Sequence, residues 1–182
     1  MNSIINLRTG LYLFIIMLVF LAGCDSNPPS SEQLSPERST VVRRALVAWL
    51  ECEECDGNEL PNVVTLKRDA LPMLIPTLNE GPSPAKREVF LAGLEMNFDK
   101  LVEYSKTHPE SMIKMNKEEY LNTYLQNYVA KYQSRAAIAL AEIGGKEAKA
   151  ALKRSLRLNL RDDVKTVVRE SLKKMKSQEI KK

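Results

Sequence analysis

The chain has 182 residues, of which 44% are hydrophobic and 27% are charged, and its formal net charge is +4. These are ordinary values for a globular protein, so they exclude both a largely disordered chain and a protein with several membrane spans. The small net charge also argues against a nucleic-acid-binding function.

The first 23 residues have the pattern of an export signal. Arg8 supplies a positive charge ahead of an unbroken apolar run, residues 11–20, which has the length of a signal-peptide core and is too short for a comfortable membrane span. The segment 21–24, LAGC, resembles the lipobox of bacterial lipoproteins. The resemblance implies cleavage after residue 23 and a lipid anchor on the sulfur of Cys24. The alternative is a retained N-terminal anchor helix with an incidental thiol.

Asp25 directly follows the lipobox cysteine. In enterobacterial lipoproteins an aspartate at this place resembles a signal for retention at the inner membrane. It implies a location in the bacterial cell envelope, at the outer leaflet of the inner membrane, with the outer membrane as the alternative. The residues that follow are rich in proline, serine and charge, so we predict a disordered tether over 24–39.

From residue 40 onward, apolar residues recur at spacings of three and four, without strand-like alternation. The sequence therefore predicts an all-α domain over 40–177, followed by a basic tail over 178–182. Ser39 or Thr40 is the expected N-cap of the first helix, Asp69 that of the second, and Pro76 is expected to kink the second helix. The predicted helices run from residue 40 to near Gly57 and over 70–78, 86–104, 117–143, 146–158 and 163–175. In the third of these helices, we expect the inward residues to be Val89, Phe90, Leu94, Phe98 and Leu101.

The C-terminal part contains an internal repeat. One set of positions recurs after 32 residues and another after 78 residues. In the first set, Ala136, Ala139, Leu140 and Ile143 align with Val168, Ser171, Leu172 and Met175. In the second set, Ala70, Leu74 and Leu78 align with Ala148, Leu152 and Leu156.

With the sequence RAAIALAEIGG at 135–145, these positions make the chain similar to the HEAT-repeat family in its short bacterial form. The similarity covers 129–176, is weaker over 67–101, and is lost between 105 and 118. It implies a short right-handed α-solenoid of HEAT-like hairpins that serves as a scaffold or adaptor for another protein, without catalysis or cofactor. Some relatives are associated with bilin lyases, but nothing in this sequence indicates a bilin site.

Cys52 and Cys55 are the most conspicuous candidates for local chemistry, as a structural disulfide, a metal site or a redox centre. Acidic side chains and the C-terminal end of a helix surround them, and both disfavour the thiolate that nucleophilic attack requires. No second cysteine pair completes a zinc site. We therefore expect a disulfide at the end of the first helix, with an extracytoplasmic thiol-disulfide or metal-binding protein as the alternative function. The acidic neighbours are Glu51, Glu53, Glu54 and Asp56.

Two further features indicate ordinary surface. The segment 56–59 offers oxygen ligands, but its spacing does not fit a calcium loop of 12 residues, so we expect a solvated acidic turn. His108, the sole histidine, lacks a paired nucleophile or carboxylate in a recognisable motif and is expected in a loop.

Partner-binding candidates lie in the second half of the chain. Four tyrosines recur at every fourth residue of the longest predicted helix. They either pack between helices or form a stripe that binds a partner, and we expect at least one of them to be exposed. The charge is also uneven, with a net −5 over 24–66 and +8 over 146–182. This basic end offers a contact for anionic lipid or for an acidic partner. The candidates are Tyr120, Tyr124, Tyr128, Tyr132, Lys149 and Lys153.

Overall fold

The computed structural model describes residues 34–111 and 113–180. Within these ranges the chain forms seven α-helices and two short 3₁₀ turns and contains no strand, which confirms the all-α prediction. The α-helices are α1 (Pro36–Glu51), α2 (Glu59–Thr65), α3 (Leu71–Glu80), α4 (Pro84–Thr107), α5 (Lys117–Ile143), α6 (Gly145–Ser155) and α7 (Asp162–Ile180). The 3₁₀ turns are Lys67–Ala70 and Pro109–Ser111.

The first helix begins earlier and ends earlier than predicted. The Ser35 hydroxyl accepts a hydrogen bond from the backbone N–H of Arg38 at 3.2 Å, and Pro36 occupies the first turn, where its missing N–H is not needed. Ser35, rather than Ser39 or Thr40, is therefore the N-cap, and residues 36–39 are helical rather than part of a tether. The helix ends at Glu51, before the acidic turn.

The segment between α1 and α3 contains structure that the sequence pattern did not predict. Helix α2 and a 3₁₀ turn fill it. Asp69 lies in that turn and does not cap α3; its carboxylate instead accepts a hydrogen bond from the Arg38 guanidinium at 2.6 Å. Pro76 lies inside α3.

Helix α5 is the central element, and it contacts every other α-helix of the described part. Its predicted bounds are confirmed. Asn116 and Glu119 form a capping box at its start, and Gly144, at φ +72°, ends it in a backbone conformation that favours glycine. Helix α7 runs five residues beyond the predicted end at Met175, into the predicted tail.

The main hydrophobic core lies between α5 and the helices α1, α2, α3, α6 and α7. The repeat positions Ala136, Leu140 and Val168 of the first set are fully buried there. So are most positions of the second set, namely Ala70, Leu74, Leu78, Ala148 and Leu152.

Helix α4 packs on α5 and on the 3₁₀ turn that follows it, and forms a second, smaller core. This core contains Leu94, Phe98 and Tyr120. Leu94 and Phe98 thus lie inward as predicted, but Val89 is 76% exposed and Leu101 is 41% exposed, so the prediction was wrong for these two residues. Both lie outside the narrow strip of α4 that touches α5.

Gly81 connects α3 to α4 and lies close to α5. Its φ of +79° is a conformation that other residues rarely adopt. A Cβ atom at this position would stand 2.8 Å from Cγ1 of Val129. Glycine is therefore required where the chain leaves the main core and enters α4.

None of the helices in the described ranges is both long enough and apolar enough to span a membrane.

Candidate functional site

An open groove of about 420 Å³ lies between α1 and α4. Its walls carry the exposed side chains of Val47 from α1 and Val89 from α4. Its floor is an aromatic pair, Phe90 and Tyr128, whose rings stack with centroids 4.0 Å apart. Most of the groove is therefore apolar, and we call it the α1–α4 groove.

Charged and hydroxyl groups meet at one end of the α1–α4 groove. The Glu51 carboxylate accepts a hydrogen bond from Lys86 Nζ and another from the Tyr132 hydroxyl at 2.9 Å. The Tyr128 and Tyr132 hydroxyls lie 3.2 Å apart. Burial lowers the pKa of Lys86 and raises that of Tyr132, because it disfavours the charged form of each group. The groove thus combines an apolar floor with a fixed ion pair at its rim.

The α1 wall is held to α5 by Arg135 and Trp49. The Arg135 guanidinium lies 5.4 Å from the Trp49 ring and donates hydrogen bonds to the carbonyl oxygens of Trp49, at 2.9 Å, and Cys52, at 2.7 Å. In return the Trp49 indole N–H donates to the Arg135 carbonyl at 3.0 Å. Burial lowers the pKa of Arg135. These bonds satisfy carbonyl groups that the end of α1 would otherwise leave unpaired.

Cys52 and Cys55 are joined in a disulfide, with Cα atoms 5.3 Å apart. Both cysteines lie just beyond Glu51, the last residue of α1, so the disulfide fixes the chain where the helix ends. Arg135 also donates toward the sulfur of Cys55 at 3.7 Å, which places a positive charge among the acidic side chains of this turn. In the described ranges, no three His, Cys, Asp or Glu side chains lie together as metal ligands.

The tyrosine stripe divides into buried and accessible residues. Tyr120 and Tyr132 are buried, at 8% and 2% exposure, so these two predicted binding residues belong to the interior instead. Tyr128 is half-buried in the floor of the α1–α4 groove, and Tyr124 is 44% exposed. The alternative of inter-helix packing thus describes Tyr120, Tyr128 and Tyr132, and the prediction that at least one tyrosine is exposed is confirmed by Tyr124.

Lys149 and Lys153 lie on α6, away from the α1–α4 groove. Lys149 donates to the Glu179 carboxylate at 2.7 Å, and Lys153 is exposed. His108 ends α4, where its ring stacks on Tyr104 at 3.9 Å. The predicted lipidation site, Cys24, lies outside the described residues.

The sequence pattern does not predict that Val47, Val89 and Phe90 lie together in one site. A signal for Val89 was present, because Ala85, Val89, Ala92 and Met96 are spaced four, three and four residues apart along α4. That spacing places them on one helix face, opposite the face that contacts α5. The juxtaposition of this face with α1 has no local signal, since it depends on how both helices pack on α5.

Comparison of the chain with protein-family models, with curated proteins and with solved structures finds no match.

Proposed function

We propose that this chain is a lipid-anchored protein of the bacterial cell envelope that binds another protein and catalyses no reaction. The α1–α4 groove is the observation that carries the binding role. Val47 and Val89 present exposed apolar surface above the Phe90–Tyr128 pair, beside the Glu51–Lys86 ion pair. An apolar patch rimmed by polar groups is typical of a protein-binding site.

The shape of this surface fits an amphipathic helix of the partner. Helix α4 carries the stripe Ala85, Val89, Ala92 and Met96, whose spacing is that of a helix seam that receives another helix. Ala85 and Val89 line the groove, and Ala92 and Met96 continue the stripe along α4. Val89 is 76% exposed and Met96 is 61% exposed, so the largest side chains of the stripe are accessible. Apolar residues of a partner helix, at spacings of three and four, would pack between Val89 and Val47 and continue along the stripe toward Met96.

The proposed architecture is a short right-handed α-solenoid of HEAT-like hairpins with α4 inserted between two of them. Two contacts support it: Arg161 donates to the Asn127 side chain at 2.7 Å, and Lys174 pairs with Glu142. The first contact joins residues 34 positions apart and the second joins residues 32 positions apart, so α5 and α7 run parallel. These separations are close to the 32-residue period of the repeat. Parallel packing of equivalent helices is the arrangement of a helical repeat stack.

A photo-crosslinking residue at position 89 tests the binding role in cells. We expect it to capture a discrete protein, whereas the same residue at Val41, which is exposed elsewhere on α1, does not. The captured protein is then purified and titrated against the chain. Val89→Asp should weaken this binding at least ~10-fold, and Val41→Asp should leave it unchanged. Equal affinity of the two variants would refute the groove as the binding site.

The anchor has its own test. Cys24→Ala should give an uncleaved or mislocalised precursor, because no sulfur remains to carry lipid. Metabolic labelling with a radioactive fatty acid measures this directly. Unchanged labelling of the Cys24→Ala variant would refute the lipoprotein assignment, irrespective of the groove.

The second candidate is thiol-disulfide exchange at Cys52 and Cys55, which the Arg135 guanidinium favours because a positive charge near Cys55 stabilises a thiolate. Reduction of insulin by the pre-reduced protein tests it. An enzyme of this class would lose its activity in Cys55→Ser. A structural disulfide would give no activity in either protein.

A further inference from the structure

Helices α6 and α7 together present a basic face. Lys165, Arg169 and Lys176 are spaced four and seven residues apart and lie along one side of α7. The Lys149–Glu179 ion pair shows that this side of α7 adjoins the side of α6 that carries Lys149 and, one turn later, Lys153. Five cations and one carboxylate thus share a surface formed by two helices; the cations are Lys149, Lys153, Lys165, Arg169 and Lys176. We call this surface the α6–α7 basic face.

The acidic side chains of these helices point elsewhere or are confined to the helix ends. Glu170 lies on the opposite side of α7, next to Lys174, which pairs with Glu142 of α5. Asp163 pairs with Arg161 at the start of α7. Among the described residues, Lys149 is the only cation of the α6–α7 basic face that forms a salt bridge. The positive charge of the face is therefore largely uncompensated within the part of the chain that the structure describes.

The rim of the α6–α7 basic face carries exposed apolar residues. Leu158, in the turn between the two helices, is 41% exposed, and Ile180, at the opposite end of α7, is 76% exposed. Half-buried leucines, Leu156 and Leu172, lie between the cations and the main core. A cationic surface with apolar residues at its rim suits a bilayer interface, where lysine and arginine reach phosphates and apolar side chains enter the headgroup region.

We propose that the α6–α7 basic face lies against an anionic phospholipid bilayer. The inference rests on the membrane anchor of the proposed function, which keeps the domain close to lipid. The 11 residues between Cys24 and Pro36 span at most about 40 Å when fully extended, which is about the length of the 27-residue helix α5. The net −5 of residues 24–66 is repelled by anionic lipid, whereas the net +8 of residues 146–182 is attracted. This charge difference turns the basic face toward the bilayer.

Vesicle co-sedimentation tests the inference without the anchor. The chain from residue 24 onward, with Cys24→Ser, contains every described helix and cannot be acylated at this position. We expect it to bind vesicles of phosphatidylcholine and phosphatidylglycerol in equal parts, and to bind neutral phosphatidylcholine vesicles much more weakly. Raising the salt concentration from about 0.1 to about 1 M, which shortens the Debye length from ~10 to ~3 Å, should release it.

Charge reversal on both helices locates the surface. Lys153→Glu with Arg169→Glu should lower the partition onto the anionic vesicles by at least ~25-fold, since each cation near such a surface contributes about a fivefold factor. The matched control, Lys100→Glu with Lys114→Glu, makes the same change in net charge on exposed residues elsewhere. It should reduce binding by far less. Circular dichroism confirms that both variants remain folded.

Several results would overturn the inference. They are equal binding to neutral and anionic vesicles, no binding to either, or equal losses in the two charge-reversal variants. Poly-glutamate that binds the α6–α7 basic face more tightly than the anionic vesicles would assign the face to an acidic protein instead. Because the tested protein lacks the lipid and its groove is intact, none of these results depends on the anchor or on the α1–α4 groove.

Discussion

The two hydrophobic cores of this protein are built on the same helix, α5, but differ in the number of helices and in the size of the side chains that form them. The C-terminal half of α5 is surrounded by other helices and contributes small side chains, such as Ala136, Ala137 and Ala139, that are fully buried. The N-terminal half of α5 contacts chiefly α4, through a small cluster around Phe98 and Tyr120. Alanines permit close approach of several helices, whereas aromatic rings fill the wider space between only two.

The difference between the two cores suggests that one region stabilises the fold and the other is available for binding. The main core buries several leucine and valine side chains completely, and each of these contributes roughly 1.5–3 kcal/mol relative to its exposed state. Helix α4 buries only Leu94 and Phe98 and leaves Val89 and Met96 exposed. The first region therefore carries the stability of the fold, and the second carries the surface that we propose for a partner. The following predictions test this separation, from the largest effect on stability to the smallest.

Leu140→Ala should lower the free energy of unfolding by about 3–5 kcal/mol. Leu140 is fully buried on α5, and truncation of such a leucine removes apolar contacts and leaves a cavity. Urea denaturation followed by circular dichroism measures the change. Leu158→Ala, at a 41% exposed position, is the control and should cost less than ~0.5 kcal/mol. Similar losses in the two variants would contradict the assignment of stability to the main core.

Phe98→Ala should cost less, roughly 2–3 kcal/mol, because the smaller core lies at the surface and can relax around the truncated side chain. Hydrogen exchange should show faster exchange over α4 while the C-terminal half of α5 stays protected. Leu101→Ala, on the same helix and 41% exposed, serves as the control. Uniformly faster exchange over the whole chain would show that the two cores unfold as one unit.

Replacement of Cys52 and Cys55 by serine should lower the free energy of unfolding by about 1–2 kcal/mol, because the disulfide closes only a very short loop. Thermal unfolding with and without a reductant measures the effect. The reductant should destabilise the wild-type protein by a similar amount and leave the double variant unchanged. Two titratable thiols in the purified, non-reduced protein would contradict this prediction.

Met96→Lys should change the free energy of unfolding by less than ~0.5 kcal/mol, because Met96 is 61% exposed and lies outside both cores. Binding of the partner captured through position 89 should nevertheless weaken. Denaturation and titration of the same sample compare the two effects. A large loss of stability would mean that the exposed stripe of α4 supports the fold.

The sequence predicted the elements whose signals are local. Asn116, Glu119 and Gly144 define the ends of α5, and the repeated positions around Leu140 correctly identified buried faces. Helix α2 was not predicted because it has only seven residues and contains Pro61 and β-branched residues. The start of α1 was not predicted because Ser35 and Pro36 lie in a segment rich in proline and serine, which is typical of a tether, although the same pair is a helix start signal.

The candidate site was harder to predict than the helices, because its residues come from separate elements. Nothing in the spacing of Val47 and Val89 places them on opposite walls, since that depends on the packing of α1 and α4 against α5. The regular tyrosine spacing was visible, but periodicity alone could not distinguish buried Tyr132 from exposed Tyr124. That distinction depends on whether α1, α4 or solvent covers each turn of α5.

The attachment of the two groove walls has a mechanical consequence. The end of α1 is joined to α5 through Arg135 and is cross-linked to the next turn by the disulfide, whereas α4 leaves the main core at Gly81. A partner wider than the groove would therefore displace α4 and leave α1 in place. The entropy cost of binding would then depend on how freely α4 moves, and a substitution near Gly81 could alter affinity without touching the partner.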